Sequence, residues 1–173
     1  MGHSINAVIG NQKALAPLIT QLGAPDPTEL DFGLVIVPLD EARLDALAVS
    51  EEASYDGFTY LTPLLAEALG SSLAEGRALY LETEYFGGLG GQAAALFENG
   101  AMVWRHHSNN ERPQEKVTWF DRLFRRVRGP LKSPISQGLK MMGVVTQPEG
   151  DEFDRLGLVR FRSLETLGIQ YDD

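Results

Sequence analysis

Alternating hydrophobic and polar residues predict an antiparallel meander in the middle of the chain. The alternation runs over residues 78–86, and two further stretches, 92–97 and 101–106, flank the pair Asn99-Gly100. Asn-Gly is a preferred pair in two-residue hairpin turns, because both positions require a positive φ angle. We therefore predict three consecutive antiparallel strands, a β-hairpin and meander, over about residues 78–106.

Two stretches nearer the amino terminus predict further strands. Residues 5–9 contain β-branched side chains in partial alternation. Residues 32–37 form a short continuous apolar run, which is typical of a strand buried on both faces, and Pro38 ends it. Residues 55–60 fit neither the strand nor the helix pattern clearly.

Helices are predicted where a capping residue precedes apolar residues at helical spacing. In the first of them Pro17 removes an amide donor, so a kink is expected before the helix ends at Gly23. The residues that begin these predicted helices are Asn11, Asp40, Thr62 and Ser133.

Together these elements predict the fold class α+β. We expect a single domain over residues 1–173, in which an antiparallel sheet packs against several helices. The apolar fraction of 43% and the charged fraction of 23% are average for globular domains, and they give no sign of disorder.

One predicted helix differs from the rest of the chain in charge. Residues 117–127 place aromatic and aliphatic side chains on one face, and residues 116–132 hold six basic residues against one acid. A basic helix of this kind could lie on an anionic membrane or touch nucleic acid. The alternative, which we favour, is that its aromatic residues are core and its arginines pair with the protein's own acids.

The whole chain is acidic and contains no cysteine. Its 24 acids and 15 bases give a net charge of −9, which opposes nucleic-acid binding and suits a basic partner. Without cysteine there is no disulfide, thiolate zinc site, iron–sulfur cluster or cysteine nucleophile. The first residues do not have the pattern of a signal peptide, and no apolar run is long enough to span a membrane. We expect a cytoplasmic protein.

The segment 82–92 is the most suggestive candidate site. Glu82 and Glu84 are two residues apart on a predicted strand, so their carboxylates share one face and could act in acid–base chemistry or hold a cation. The glycines at 87–91 could form an anion-binding nest, although they match neither the P-loop nor the dinucleotide-binding motif. The alternative, which we favour, is that the two glutamates lie on a solvated face and the glycines make a bend.

Other candidate residues give weaker signals. Asp151, Glu152 and Asp154 are three acids within four residues, but they lack the pattern of an EF-hand loop. His106 and His107 are adjacent on a predicted strand, so they point to opposite faces and cannot share a metal. There is no G-x-S-x-G elbow. We predict no catalytic residue, no metal ligand and no cofactor.

Two stretches, ETEYFGGLGGQAAA at 82–95 and DEFDRLGL at 151–158 with Arg160 and Arg162, carry a resemblance to known proteins. They resemble a family of small uncharacterised bacterial cytoplasmic proteins, some members of which are similar to immunity proteins of polymorphic toxin systems. The resemblance implies a protein that binds a toxin and needs no catalytic apparatus.

The leading hypothesis is therefore an immunity-type protein, more an inhibitor than an enzyme. It would neutralise a cognate, basic toxin by occluding the toxin's active site. One alternative is a small enzyme or ligand-binding domain with a carboxylate and glycine-loop pocket at 82–92, and another is a structural or assembly subunit. The residues predicted to bind the partner are Glu82, Glu84, Tyr85, Gln92, Asp151, Glu152 and Asp154.

Overall fold

Six strands form the centre of the structure. The structure, a computed structural model, describes residues 3–23, 27–49, 51–86, 89–109, 133–145 and 152–170. The strands in these ranges are β1 (His3–Asn11), β2 (Thr28–Glu29), β3 (Leu34–Pro38), β4 (Arg77–Phe86), β5 (Leu89–Glu98) and β6 (Ala101–Asn109).

The strands make one antiparallel sheet in the order β2-β3-β1-β4-β5-β6. The predicted meander is confirmed as β4-β5-β6, and it joins the amino-terminal strands through the pairing of β1 with β4. Asn99 and Gly100 connect β5 to β6 with φ angles of 51° and 80°. Both angles are positive, as the Asn-Gly hairpin signal requires.

In the described ranges, four helices of seven or more residues pack against the sheet, and a single-turn helix packs against the fourth of them. All four predicted capping side chains accept a backbone N–H bond: Asn11 from Ala14, Asp40 from Arg43, Thr62 from Leu65 and Ser133 from Ser136. No helix in the described ranges is long and apolar enough to cross a membrane. The helices are α1 (Gln12–Leu22), α2 (Glu41–Leu47), α3 (Pro63–Ser71), α4 (Pro134–Met141) and α5 (Glu152–Arg155).

Both faces of the sheet are covered, and each face has its own core. Successive strand residues point to opposite sides, so Tyr80 belongs to one core and its neighbours Leu79 and Leu81 belong to the other. The core on one side includes side chains from α1, α2 and α3, and we call this side the α1–α3 face. The core on the other side includes α4 and residues 156–167, and we call it the α4 face.

The predicted α+β fold class with its antiparallel sheet is therefore confirmed, and several strand boundaries are corrected, since β1 and β5 are longer than the predicted 5–9 and 92–97. The strand expected at 32–37 begins at Leu34, because Phe32 has a positive φ of 63° and lies in a short 3₁₀ turn. All five residues of β3 are buried, as expected for a strand covered on both faces. The basic helix predicted at 117–127 lies outside the described residues and stays a prediction.

Candidate functional site

The connection between α2 and α3, on the α1–α3 face, is the candidate site. Residues 48–62 separate α2 from α3, and their described part contains no helix or strand. Loops of this length without secondary structure are uncommon in compact domains, and they are usually either functional or disordered linkers. We call the described residues 51–62 of this connection the α2–α3 loop.

The carboxylate of Glu82 holds this loop against the sheet. Its Oε2 accepts the Thr59 amide at 2.6 Å, and its Oε1 accepts the amides of Tyr60 and Leu61, both at 3.0 Å. The hydroxyl of Tyr80 donates to the same Oε1 at 2.7 Å. Glu82 is only 7% exposed. Three consecutive backbone amides therefore converge on one buried carboxylate from β4.

Strand β6 makes three further contacts with the loop. The guanidinium of Arg105 lies over the Tyr55 ring, 4.2 Å from its centroid, and the Nε2 of His107 is 3.9 Å from an oxygen of Asp56. Gly57 packs directly on the His107 imidazole with a φ of 77°. A side chain at Gly57 would overlap that ring, so glycine is required there for space as well as for backbone conformation.

Burial and charge also act on the tyrosine beneath the loop. Burial raises the pKa of Tyr80 well above its ordinary value, and the neighbouring carboxylate of Glu82 raises it further. The hydroxyl is therefore neutral at physiological pH and serves as a donor. Phe58 of the loop stacks on the Tyr80 ring with 6.4 Å between centroids. Phe58 thus adds an apolar contact between the loop and β4 beside the hydrogen bonds to Glu82.

The outer surface of this layer concentrates negative charge. Described residues 40–49 and 51–75, which we call the acidic layer, contain eight acids and one base, a net charge of −7. The described residues that cover the α4 face, 133–145 and 152–170, contain three acids and four bases. Val49, Tyr60 and Leu64 are exposed within the acidic layer. Aromatic and apolar groups therefore lie among the acids on one side of the molecule.

The structure separates the predicted site residues on β4 and β5. Glu82 and Glu84 share the α1–α3 face as predicted, but Glu82 is buried and only Glu84 is exposed. The solvated position that we favoured for both glutamates is therefore wrong for Glu82, because three loop amides cover its carboxylate. Tyr85 and Gln92 lie on the opposite face, where a hydrogen bond from Gln92 only partly offsets the rise that burial causes in the pKa of Tyr85. Glu82, Glu84 and Gln92 do not line a common pocket.

The predicted glycine loop is partly strand. Gly90 and Gly91 belong to β5 and pair with β4. Gly90 has a φ of 140°, and a side chain there would collide with the backbone of Glu84. The bend that we favoured is thus replaced, at these two positions, by close strand pairing. Gly87 and Gly88 lie outside the described residues.

The carboxy-terminal acids are also dispersed. Glu152 begins α5 and is almost fully buried, whereas Asp154 is exposed. Asp151 lies outside the described residues. Whether any of the seven predicted residues binds a partner stays a prediction, but those described here do not form one continuous surface.

The histidines behave as their spacing predicts. His106 pairs with Ala94 and His107 with Ala93, and these alanines belong to opposite cores, so the two imidazoles point to opposite faces. Within the described ranges no group of three or more histidine, aspartate or glutamate side chains is placed to hold a metal ion.

Sequence reasoning missed the α2–α3 loop. Its residues have no periodicity. Glu82, whose carboxylate holds the loop, lies more than twenty residues further along the chain. The signal that could have found it is the run of acids in 40–75, which contains a single base, Arg43.

Comparison of the chain with protein-family models, with curated proteins and with solved structures gave no significant match. The resemblance to immunity proteins therefore stays a prediction. The function has to be argued from the acidic layer and the loop within it.

We expect Glu82→Gln to destabilise the protein by about 2–3 kcal/mol. A glutamine oxygen can replace Oε1, but its NH₂ group then faces the amide of Thr59, donor against donor. Chemical denaturation of the variant measures the loss. The matched control is Glu84→Gln, an exposed position on the same strand and face, which should change stability by less than about 0.5 kcal/mol. Equal effects of the two changes would contradict the role assigned to Glu82.

We also expect stability to fall as pH rises through about 10. The folded pKa of Tyr80 lies above the ordinary value of 10.0, so the unfolded chain loses its proton first and is favoured at alkaline pH. The contribution is complete below about pH 9 and declines above it. Denaturation curves between about pH 8 and 11 should show a shallower decline for Tyr80→Phe, whose residual slope includes Tyr85. Identical slopes for the two proteins would contradict this assignment.

Proposed function

We propose that this protein is an immunity-type inhibitor that binds a basic toxin through the acidic layer and occludes the toxin's active site. The observation that carries the proposal is the placement of exposed apolar side chains among clustered acids on one side of the sheet. Counted over the described residues, the acidic layer holds a net charge of −7, whereas the residues that cover the α4 face, 133–145 and 152–170, are close to neutral.

Clustered like charges weaken a fold through their mutual repulsion, and a partner of opposite charge would relieve that repulsion. Charge complementarity accelerates encounter and rejects wrong partners, while most of the affinity comes from a few buried anchors. Tyr60 and Leu64 supply exposed surface of that second kind within the acidic layer. Charge for a basic partner and exposed side chains that can serve as anchors therefore occur on the same side of the sheet.

The proposal moves the interface away from the segment 82–92. Glu82 supports the surface from beneath, because its carboxylate is occupied by the loop amides and the Tyr80 hydroxyl. The alternative enzyme or ligand pocket loses its support, since Glu82 and Gln92 lie on opposite faces of the sheet. An occluding inhibitor needs a stable surface and no reactive group.

The proposal predicts a specific complex with a toxin domain encoded beside this gene. Purified protein and each neighbouring toxin candidate are mixed in a calorimeter, and the toxin's activity is assayed with and without the protein. We expect a saturable complex and loss of toxin activity at equimolar protein. The absence of a complex with every neighbouring candidate would contradict the proposal.

The acidic layer can be tested by a pair of charge-matched double variants. Asp45→Asn with Glu51→Gln removes two exposed acids from the layer, and Glu29→Gln with Glu165→Gln removes two exposed acids elsewhere. Both variants change the net charge equally. Only the first should lower the association rate, roughly several-fold at low salt, and flatten its salt dependence in stopped-flow measurements. Equal effects of both variants would indicate attraction by net charge without this interface.

A further inference from the structure

We infer that the α2–α3 loop is a preorganised recognition loop, that Tyr60 is its anchor and that Glu82 is the positioning residue. The inference rests on the proposed function, because it names the part of the acidic layer that enters the toxin. The partner chemistry is a basic cleft, lined by lysine or arginine, that ordinarily receives an anionic substrate.

Tyr60 is distinguished from its neighbours by the combination of a fixed backbone and a half-exposed ring. Its own amide and the amides on both sides bind the Glu82 carboxylate. Phe58 and Leu61 turn inward and are buried, whereas the side chain of Tyr60 is 50% exposed. The hydrogen bonds to Glu82 therefore fix the backbone of the loop at one aromatic residue, whose side chain is half exposed.

Such an arrangement lowers the cost of binding. A loop that is ordered only on binding loses conformational entropy at that step, whereas a preordered loop has already lost it on folding. Tyrosine adds little to this cost, since its side chain has two rotatable angles and a large contact area. The ring can accept a guanidinium or ammonium group on its face, and its hydroxyl can hydrogen-bond at the bottom of a cleft.

Charge complementarity selects the occupant. Asp56, Glu51 and Glu52 are exposed on the same loop. An anionic rim around a projecting aromatic residue fits a cationic cleft and is repelled by an acidic one. The loop therefore carries negative charge, as does the anionic substrate that the cleft of the toxin ordinarily receives.

Two other parts of the described structure lack the combination of charge and fixed backbone found in this loop. On the outer strand β6, Val103 is exposed, but it has no acidic rim comparable to that of the loop. Gln92 hydrogen-bonds to Tyr85 and leaves its own buried Oε1 without a partner, but nothing around the pair indicates the ligand it would hold. Neither carries charge complementarity to a defined partner.

The positioning role of Glu82 is tested without a partner by amide hydrogen exchange. In the wild-type protein the amides of Thr59, Tyr60 and Leu61 should be protected. In Glu82→Gln they should exchange at least about tenfold faster, which corresponds to about 1.4 kcal/mol. The amides of β4 and β5 report whether the variant stays folded. Unprotected wild-type amides, or unchanged exchange in the variant, would overturn the preorganised loop.

The anchor role is tested on the complex with the neighbouring toxin. Tyr60→Ala should weaken binding by at least about 30-fold, mainly through faster dissociation. Phe32→Ala is the matched control, because Phe32 is 46% exposed and contacts Arg155 outside the acidic layer. It should leave the dissociation constant unchanged. Tyr60→Phe separates the hydroxyl from the ring.

The outcomes distinguish the two proposals. A complex that forms normally and tolerates Tyr60→Ala overturns the anchor and leaves the proposed function standing. A complex that depends on Tyr60 supports both. If no neighbouring toxin binds the wild-type protein, the proposed function fails and the recognition role fails with it, whatever the exchange of the loop amides shows.

Discussion

The interaction on which the α1–α3 face depends is the buried hydrogen-bonding of the Glu82 carboxylate. A charge withdrawn from water costs several kcal/mol unless it is fully hydrogen-bonded. Here one carboxylate receives three loop amides and a tyrosine hydroxyl, and each bond to a charged group is stronger than a neutral one. The same carboxylate also gives the buried amide of Leu61 its partner. One strand residue thereby fixes the conformation of a loop that has no secondary structure.

The sheet makes this contact possible because successive side chains along each strand point to opposite faces. Tyr80 and Glu82 fall on the same face of β4, beneath the loop, while Leu79 and Leu81 fill the core on the other side. Arg105 and His107 on β6 extend the same face and contact Tyr55 and Asp56. The loop is therefore supported by two strands, and its outer side is left for the exposed acids and Tyr60. Scaffold and proposed binding surface occupy opposite sides of one loop.

Local signals in the sequence were sufficient for most of the fold. Asn11 and Thr62 cap their helices, and Asn99-Gly100 turns the hairpin, because each of these effects acts over a few neighbouring residues. The burial of Glu82 could not be predicted in the same way. A glutamate at alternate positions of a strand is normally solvated, and the amides that bury it belong to a distant segment without periodicity. Phe32 was misassigned because an apolar residue in an apolar run resembles a strand whatever its φ angle.

The most direct test of the account is to find which part of the protein the toxin covers. Backbone amide chemical shifts of the protein, recorded by NMR before and after addition of the neighbouring toxin, give that surface residue by residue. The account predicts that the largest changes fall within residues 51–64, centred on Tyr60. Changes concentrated in residues 152–170, or on the α4 face of β4 and β5 around Tyr85 and Gln92, would contradict it.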